Sequence, residues 1–438
     1  MKNWQQMLCE SEPGANRVTR RAALQTGAGV AVATELAAWM GRSALAQVSV
    51  APDKENNETG RDVFVNIFLR GAADGLSLVV PYAEDDYYKA RPTLAIAAPK
   101  RGNAGAALRL DDRFGLHPAL SPLLPLWVDG SLAVLHAVGS GDQTRSHFEA
   151  MATMERGEYI KGGSEARGWL ARHLSAVHGS ASPLRAVAFG AVMPDTLRGA
   201  TSATAVESLS DLKINAPRPE LATALTTLYA PGTDAASVAG RETIAALKTL
   251  QKIDPAHYKP AHGATYPQSP LGEGLKQTAC LIKAGVGLEA AFLDREGWDT
   301  HVTQGGATGW LALQLDDVAK SLAAFAQDLG KERDRVTLVV QTEFGRRVAE
   351  NSSLGTDHGR ASAMFVWGGA VNGGKIHGGW PGLRPEQLES PGDLRVVNDY
   401  RLVLAEILAK RCGNAAGLET VFPGAGITAE RFLGVVRS

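Results

Sequence analysis

Five short segments bring carboxylates, imidazoles and hydroxyls close together along the chain. They are Asp74-Gly75, Gly141-Asp142-Gln143-Thr144-Arg145-Ser146-His147, Gly297-Trp298-Asp299-Thr300-His301, Thr342-Glu343-Phe344-Gly345-Arg346-Arg347 and Gly355-Thr356-Asp357-His358-Gly359. Neutral imidazole nitrogen and ionised carboxylate oxygen are both good ligands for zinc or manganese, so their convergence would hold a divalent cation. Such a cation lowers the pKa of a hydroxyl or water and neutralises charge on a phosphoryl or sulfuryl oxygen. The hydroxyls of Thr144 and Ser146 are candidate nucleophiles. Arg145, Arg346 or Arg347 could grip an anionic substrate with a bidentate fork.

Each residue also has a purely structural reading. Asp74-Gly75 has the composition of a turn. Asp299-Thr300-His301 could cap a following helix. Glu343 could pair with Arg346 or Arg347, and Asp357 could be a turn residue before Gly359. His117, ahead of Pro118, reads as a helix start, and His136 as a core histidine inside a strand.

The elements around these segments give them a common address. Apolar, β-rich runs at 63–69, 132–138, 184–189, 288–293, 336–341 and 363–367 predict buried strands. Apolar residues at helical spacing predict helices over 118–128, 148–158, 166–177, 239–252, 271–284, 310–329 and 400–411. Alternation of the two predicts an α/β sandwich, a mostly parallel sheet covered by helices on both faces. Ligands of such sheets bind beyond the carboxyl ends of the strands, where four of the five segments fall; the fifth directly precedes the last strand. The Ala-, Thr-, Ser- and Pro-rich stretch 198–264 reads as a helical insertion within a single domain, 62–438.

The first 46 residues have the order of a signal peptide. Arg20-Arg21 precede a mild apolar stretch, Ala28 to Met40, which ends in Ser43-Ala44-Leu45-Ala46. The stretch is too short and too interrupted for a stable membrane span. The paired arginines resemble a twin-arginine signal, which implies the twin-arginine translocase as a partner during export, cleavage after Ala46 and a periplasmic or secreted product. Residues 47–61 read as a linker. The mature chain carries 40 Lys/Arg against 43 Asp/Glu, a net charge of −3, so no basic field points to nucleic acid. Cys280 and Cys412 remain after cleavage and read as either a disulfide or two buried thiols.

Five ordered motifs, Phe68 to Leu76, Arg145 to Phe148, Gly297 to His301, Thr342 to Arg346 and Thr356 to Gly359, resemble those of the twin-arginine-exported bacterial family catalogued as domain of unknown function 1501. That family is in turn similar to the alkaline phosphatase and sulfatase superfamily. The resemblance implies an alkaline-phosphatase-like domain with Asp74, Asp299, His301, Glu343 and His358 as metal ligands. It also implies Thr144 or Ser146 as nucleophile with His147 close by, and Arg145 and Arg346 on the substrate. Phe344 departs from the superfamily's Asp-His pattern and removes one ligand, which makes one cation the expectation rather than two. The implied activity is hydrolysis of phosphate or sulfate esters. The alternative is a non-catalytic envelope-binding protein on the same scaffold.

Overall fold

The structure is a computed structural model and describes residues 62–158, 167–179, 182–211 and 219–437. The signal and linker read from residues 1–61 lie outside them. A nine-stranded sheet forms the centre of the described domain. In chain order its strands are β1 (Val63–Leu69), β2 (Leu132–Gly139), β3 (Ala186–Phe189), β4 (Ala203–Val206), β5 (Ala290–Arg295), β6 (Val336–Gln341), β7 (Ser362–Gly368), β8 (Ile376–His377) and β9 (Asn398–Asp399). Their spatial order is β8-β2-β7-β6-β1-β5-β3-β4, with β9 also pairing to β2. β7 runs antiparallel to both of its neighbours, and the other pairings are parallel.

β1 shows why the sequence makes this sheet. All seven of its residues are buried, as a strand covered on both faces requires. Alternation sends Val63, Val65, Ile67 and Leu69 into one apolar core and Phe64 and Phe68 into the other. Helices α5 (Pro270–Ala284) and α6 (Trp310–Leu329) pack in the first core, and α2 (Trp169–Ala176) and α7 (Tyr400–Lys410) in the second. The remaining long helices are α1 (His147–Arg156), α3 (Pro219–Tyr229) and α4 (Ala235–Ile253). The result is an α/β fold with a mostly parallel mixed sheet, and among the described residues no helix is long and apolar enough to cross a membrane.

The expected insertion needs one correction. Its first part holds edge strand β4, Ala203–Val206, parallel to β3, and its long helices are α3 and α4. The run Ala-Thr-Ala-Val is short, half-exposed and weakly apolar, so it carries little strand signal. His117 accepts a hydrogen bond from the Ala119 amide as the cap of a short helix, and His136 is a core histidine whose burial lowers its pKa to about 4. Cys280 and Cys412 are free thiols, pushed up by burial to about 11 and about 12.

Candidate metal centre

Four strand ends deliver the site, and the reversal of β7 explains the fifth segment. Because β7 runs opposite to the rest, the residues before it lie at the same sheet edge as the residues after β1, β2, β5 and β6. His358, four residues ahead of β7, thereby meets Asp299 and His301 from the loop after β5 and His147 from the first turn of α1.

Three imidazole nitrogens surround one carboxylate oxygen. Asp299 Oδ1 lies 3.1 Å from His301 Nε2, 3.3 Å from His358 Nε2 and 3.5 Å from His147 Nε2. His301 Nε2 and His358 Nε2 are 2.9 Å apart. The opposite ring nitrogens are turned outward. His147 Nδ1 is 2.7 Å from Glu343 Oε1, His358 Nδ1 is 2.9 Å from the Arg145 carbonyl, and His301 Nδ1 is 3.5 Å from Asp357 Oδ1. A carbonyl accepts only, so His358 carries its proton on Nδ1 and turns a lone pair inward; Glu343 orients His147 in the same sense. His147 Nε2 is buried and makes no hydrogen bond.

Glu343 occupies a different position from the ligand role expected of it. It is fully buried, and its Oε1 accepts from the Gly71 and Ala72 amides as well as facing His147, while Oε2 accepts from Thr342 Oγ1. It therefore orients the His147 imidazole rather than facing the cluster, and it makes no ion pair with Arg346 or Arg347. Its hydrogen bond raises the pKa of His147, against the opposing effect of burial. Phe344 stacks on His147 with ring centroids 5.0 Å apart and also packs against His358. Phe344 thus brings no donor to the cluster, whereas His147, on another segment, does.

Asp74 is not brought to this group. Arg91 holds both of its oxygens, and Ser77 and Gln304 donate to it as well, so the buried carboxylate is fully engaged elsewhere. Burial opposes its ionisation, but Arg91 keeps its pKa below the usual carboxylate value.

Arg346 is also committed. Its fork donates to the carbonyls of Gly71, Ala72, Trp298 and Thr356 and to Asp299 Oδ1 at 2.6 Å. Burial works against the Asp299 carboxylate, yet the hydrogen bond and charge of Arg346, with His301 and His358, hold its pKa at about 2. Arg145 is tied to buried Asp393 and to the Ser390 carbonyl. The guanidinium without a hydrogen-bond partner is that of Arg347: its Nε comes no nearer than 4.0 Å to Asp393 Oδ1. Of the two hydroxyls, Thr144 Oγ1 donates to Asp142 and accepts from the Ser146 amide, whereas Ser146, the cap residue of α1, makes no side-chain capping bond. Asp299 and His301 cap no helix, since the cap of α6 is Gly309.

The loops that carry these groups are packed backbone to backbone. Gly355 sits so close to His301 that an added Cβ would lie 2.3 Å from its carbonyl carbon. The Thr356 amide donates to the Thr300 carbonyl, and Asn351 Nδ2 donates to both the His301 carbonyl and Asp357 Oδ1.

The chain matches the family described as Protein of unknown function (DUF1501) over residues 61–411, and it belongs to that family. No curated protein matches it.

Proposed function

We propose that His147, Asp299, His301 and His358 bind one divalent cation, zinc in preference to manganese, and that the protein is an exported hydrolase of phosphate or sulfate esters. The observation that carries the reading is the inward arrangement of three Nε2 atoms about one carboxylate oxygen. Ligands on a tetrahedral zinc with bonds of about 2.0–2.1 Å stand roughly 3.3 Å apart. The separations of 3.1, 3.3 and 3.5 Å around Asp299 match that spacing; the ligand atoms of His147, Asp299 and His358 all lie within 4.8 Å of one another, and His301 completes the set by a shift that also opens its 2.9 Å pair with His358. Two inward lone pairs at that distance repel unless a proton or a cation lies between them. Three imidazoles and one carboxylate are a donor set suited to zinc, whereas manganese favours oxygen. Asp299 and His301 are half-exposed, which leaves room for a substrate atom.

A bound cation would polarise an ester oxygen and offset its developing charge. The chain's own groups divide the remaining work. Ser146 Oγ, at the N-terminus of α1 where the helix dipole favours negative charge, attacks phosphorus or sulfur; the ester P–O or S–O bond breaks, and the alcohol departs with the proton. Water then hydrolyses the seryl ester, restoring the Ser146 hydroxyl and releasing phosphate or sulfate. Arg347 holds a non-bridging oxygen, the role that Arg145 and Arg346 are too committed to take. Export is supported by Arg20-Arg21 and the apolar stretch behind them. The alkaline-phosphatase-like reading of the fold is supported by the placement of the centre beyond the carboxyl ends of parallel strands.

Elemental analysis of the purified mature protein, paired with turnover of chromogenic phosphate and sulfate esters, tests this. One zinc per chain is expected, falling well below one in Asp299→Ala and His301→Ala, with turnover lost in Ser146→Ala and retained in Thr144→Ala. A metal-free native protein sinks the proposal, and zinc without turnover of any ester leaves the binding-protein alternative.

A further inference from the structure

Exposed large apolar residues flank, along the chain, the segments that carry this polar centre. Phe148 follows His147 directly and is 84% exposed; Val302 follows His301 directly and is 65% exposed. Leu354 is 46% exposed, in the loop whose backbone carbonyl accepts from Gln304, three residues beyond His301. Trp310 and Leu313, 52% and 66% exposed, share one face of the first turn of α6. Trp310 Nε1 donates to the Gly297 carbonyl, two residues before Asp299. Scattered exposed apolar residues need no explanation, but a group of them rimming a polar cluster marks a binding surface. Leu354 adds a sharper point. Its φ of +56° is a left-handed conformation unfavourable for leucine, and the side chain recovers little of that cost by burial.

We infer that Phe148, Val302, Leu354, Trp310 and Leu313 form an apolar collar that receives an alkyl or aryl leaving group, so the substrate is an amphipathic ester with its anionic head at the metal centre. The inference rests on the hydrolase reading above for the identity of the head group. It commits to the substrate as occupant because the collar is not a separate face. Phe148 and Val302 adjoin cluster residues, Trp310 is hydrogen-bonded to the carbonyl two residues before Asp299, and Leu354 is tied through its carbonyl to Gln304, so each of these segments is anchored to one that carries the centre.

The test reads binding rather than turnover, which keeps the two proposals apart. Mature protein in zinc-containing buffer is titrated calorimetrically with inorganic phosphate and with methyl, butyl, hexyl and octyl phosphate, all below micelle formation. Affinity is expected to rise at least about threefold for each added pair of methylenes, a partial share of the gain for full burial. In Phe148→Ser combined with Leu354→Asn the rise should flatten, while inorganic phosphate binds as before. Val128→Ser, at an 81% exposed residue that precedes the opposite end of β2, should behave as the unsubstituted protein. Equal affinity for methyl and octyl phosphate, no binding of any of them, or an undiminished rise in the double variant overturns the collar. A chain-length effect without turnover of any ester keeps the collar and removes the hydrolase. Zinc content of each variant confirms that the exposed substitutions leave the centre intact.

Discussion

Glu343 is the residue on which the behaviour of the centre turns. It faces away from the cluster of inward Nε2 atoms but fixes His147 and raises its pKa. A proton on His147 competes with a cation for Nε2, so cation affinity should fall as pH drops through that raised value. In the cation-free protein the sign for stability is the reverse. A histidine with a raised folded pKa contributes stability below its unfolded value near 6.5, and that contribution is lost as pH rises through the folded value. Glu343→Gln keeps an acceptor for the Gly71 and Ala72 amides and removes the charge. Zinc affinity at pH 8 should fall about 10–100-fold, and the His147 imidazole of the cation-free protein should lose its upward shift. A competition titration with a chromogenic chelator measures the first and an NMR titration of the imidazole the second, and no change in either would refute the role given to Glu343. Residue type alone points to the segments that carry His147, Asp299, His301 and His358, although His147 is expected there beside a nucleophile and not among the ligands. The roles of Glu343 and Arg346 are not legible there, because adjacency in sequence says nothing about which way a side chain turns at a strand end. The stacking of Phe344 on His147 is hidden for the same reason, since the two meet only after β2 and β6 take their places in the sheet.

At the scale of the element, the strand ends are held in register by one side chain. Arg346 reaches backbone carbonyls after β1 and β5 and before β7, and it also grips Asp299. Arg346→Lys removes the planar fork and leaves several buried acceptors without a donor. The expected cost is roughly 3 kcal/mol or more in urea unfolding, together with weaker zinc binding, because the loops carrying Asp299 and His358 lose their common anchor. A loss of turnover with unchanged stability would instead return Arg346 to a substrate-binding role. The six long strand signals were readable because strands buried on both faces must be apolar throughout, as β1 and β6 are. β4 escaped because an edge strand is only half covered. The antiparallel direction of β7 was also invisible in periodicity, which carries no direction, although that direction brings His358 to the site.

The whole molecule decides how much the cation matters to folding. Two extensive apolar cores lie on either side of the sheet, and none of the four cluster residues belongs to either. The cation-free protein is therefore expected to fold, unlike small domains whose core is the metal itself. A cation at 100 times its Kd adds about 2.7 kcal/mol, and for a domain of this size that raises Tm by roughly 3 °C. Thermal unfolding of the mature protein in chelator and in excess zinc measures the difference, and complete loss of the transition in chelator would show that the centre is structural. The outcome bears on export as well. If the fold forms without the cation, a route for folded cargo does not depend on metal loading in the cytoplasm. His301→Ala should then reach the periplasm as efficiently as the unsubstituted chain, while Arg20→Lys with Arg21→Lys keeps the protein inside. Retention of His301→Ala in the cytoplasm would mean that the translocase requires the occupied centre, tying the two ends of the chain together after all.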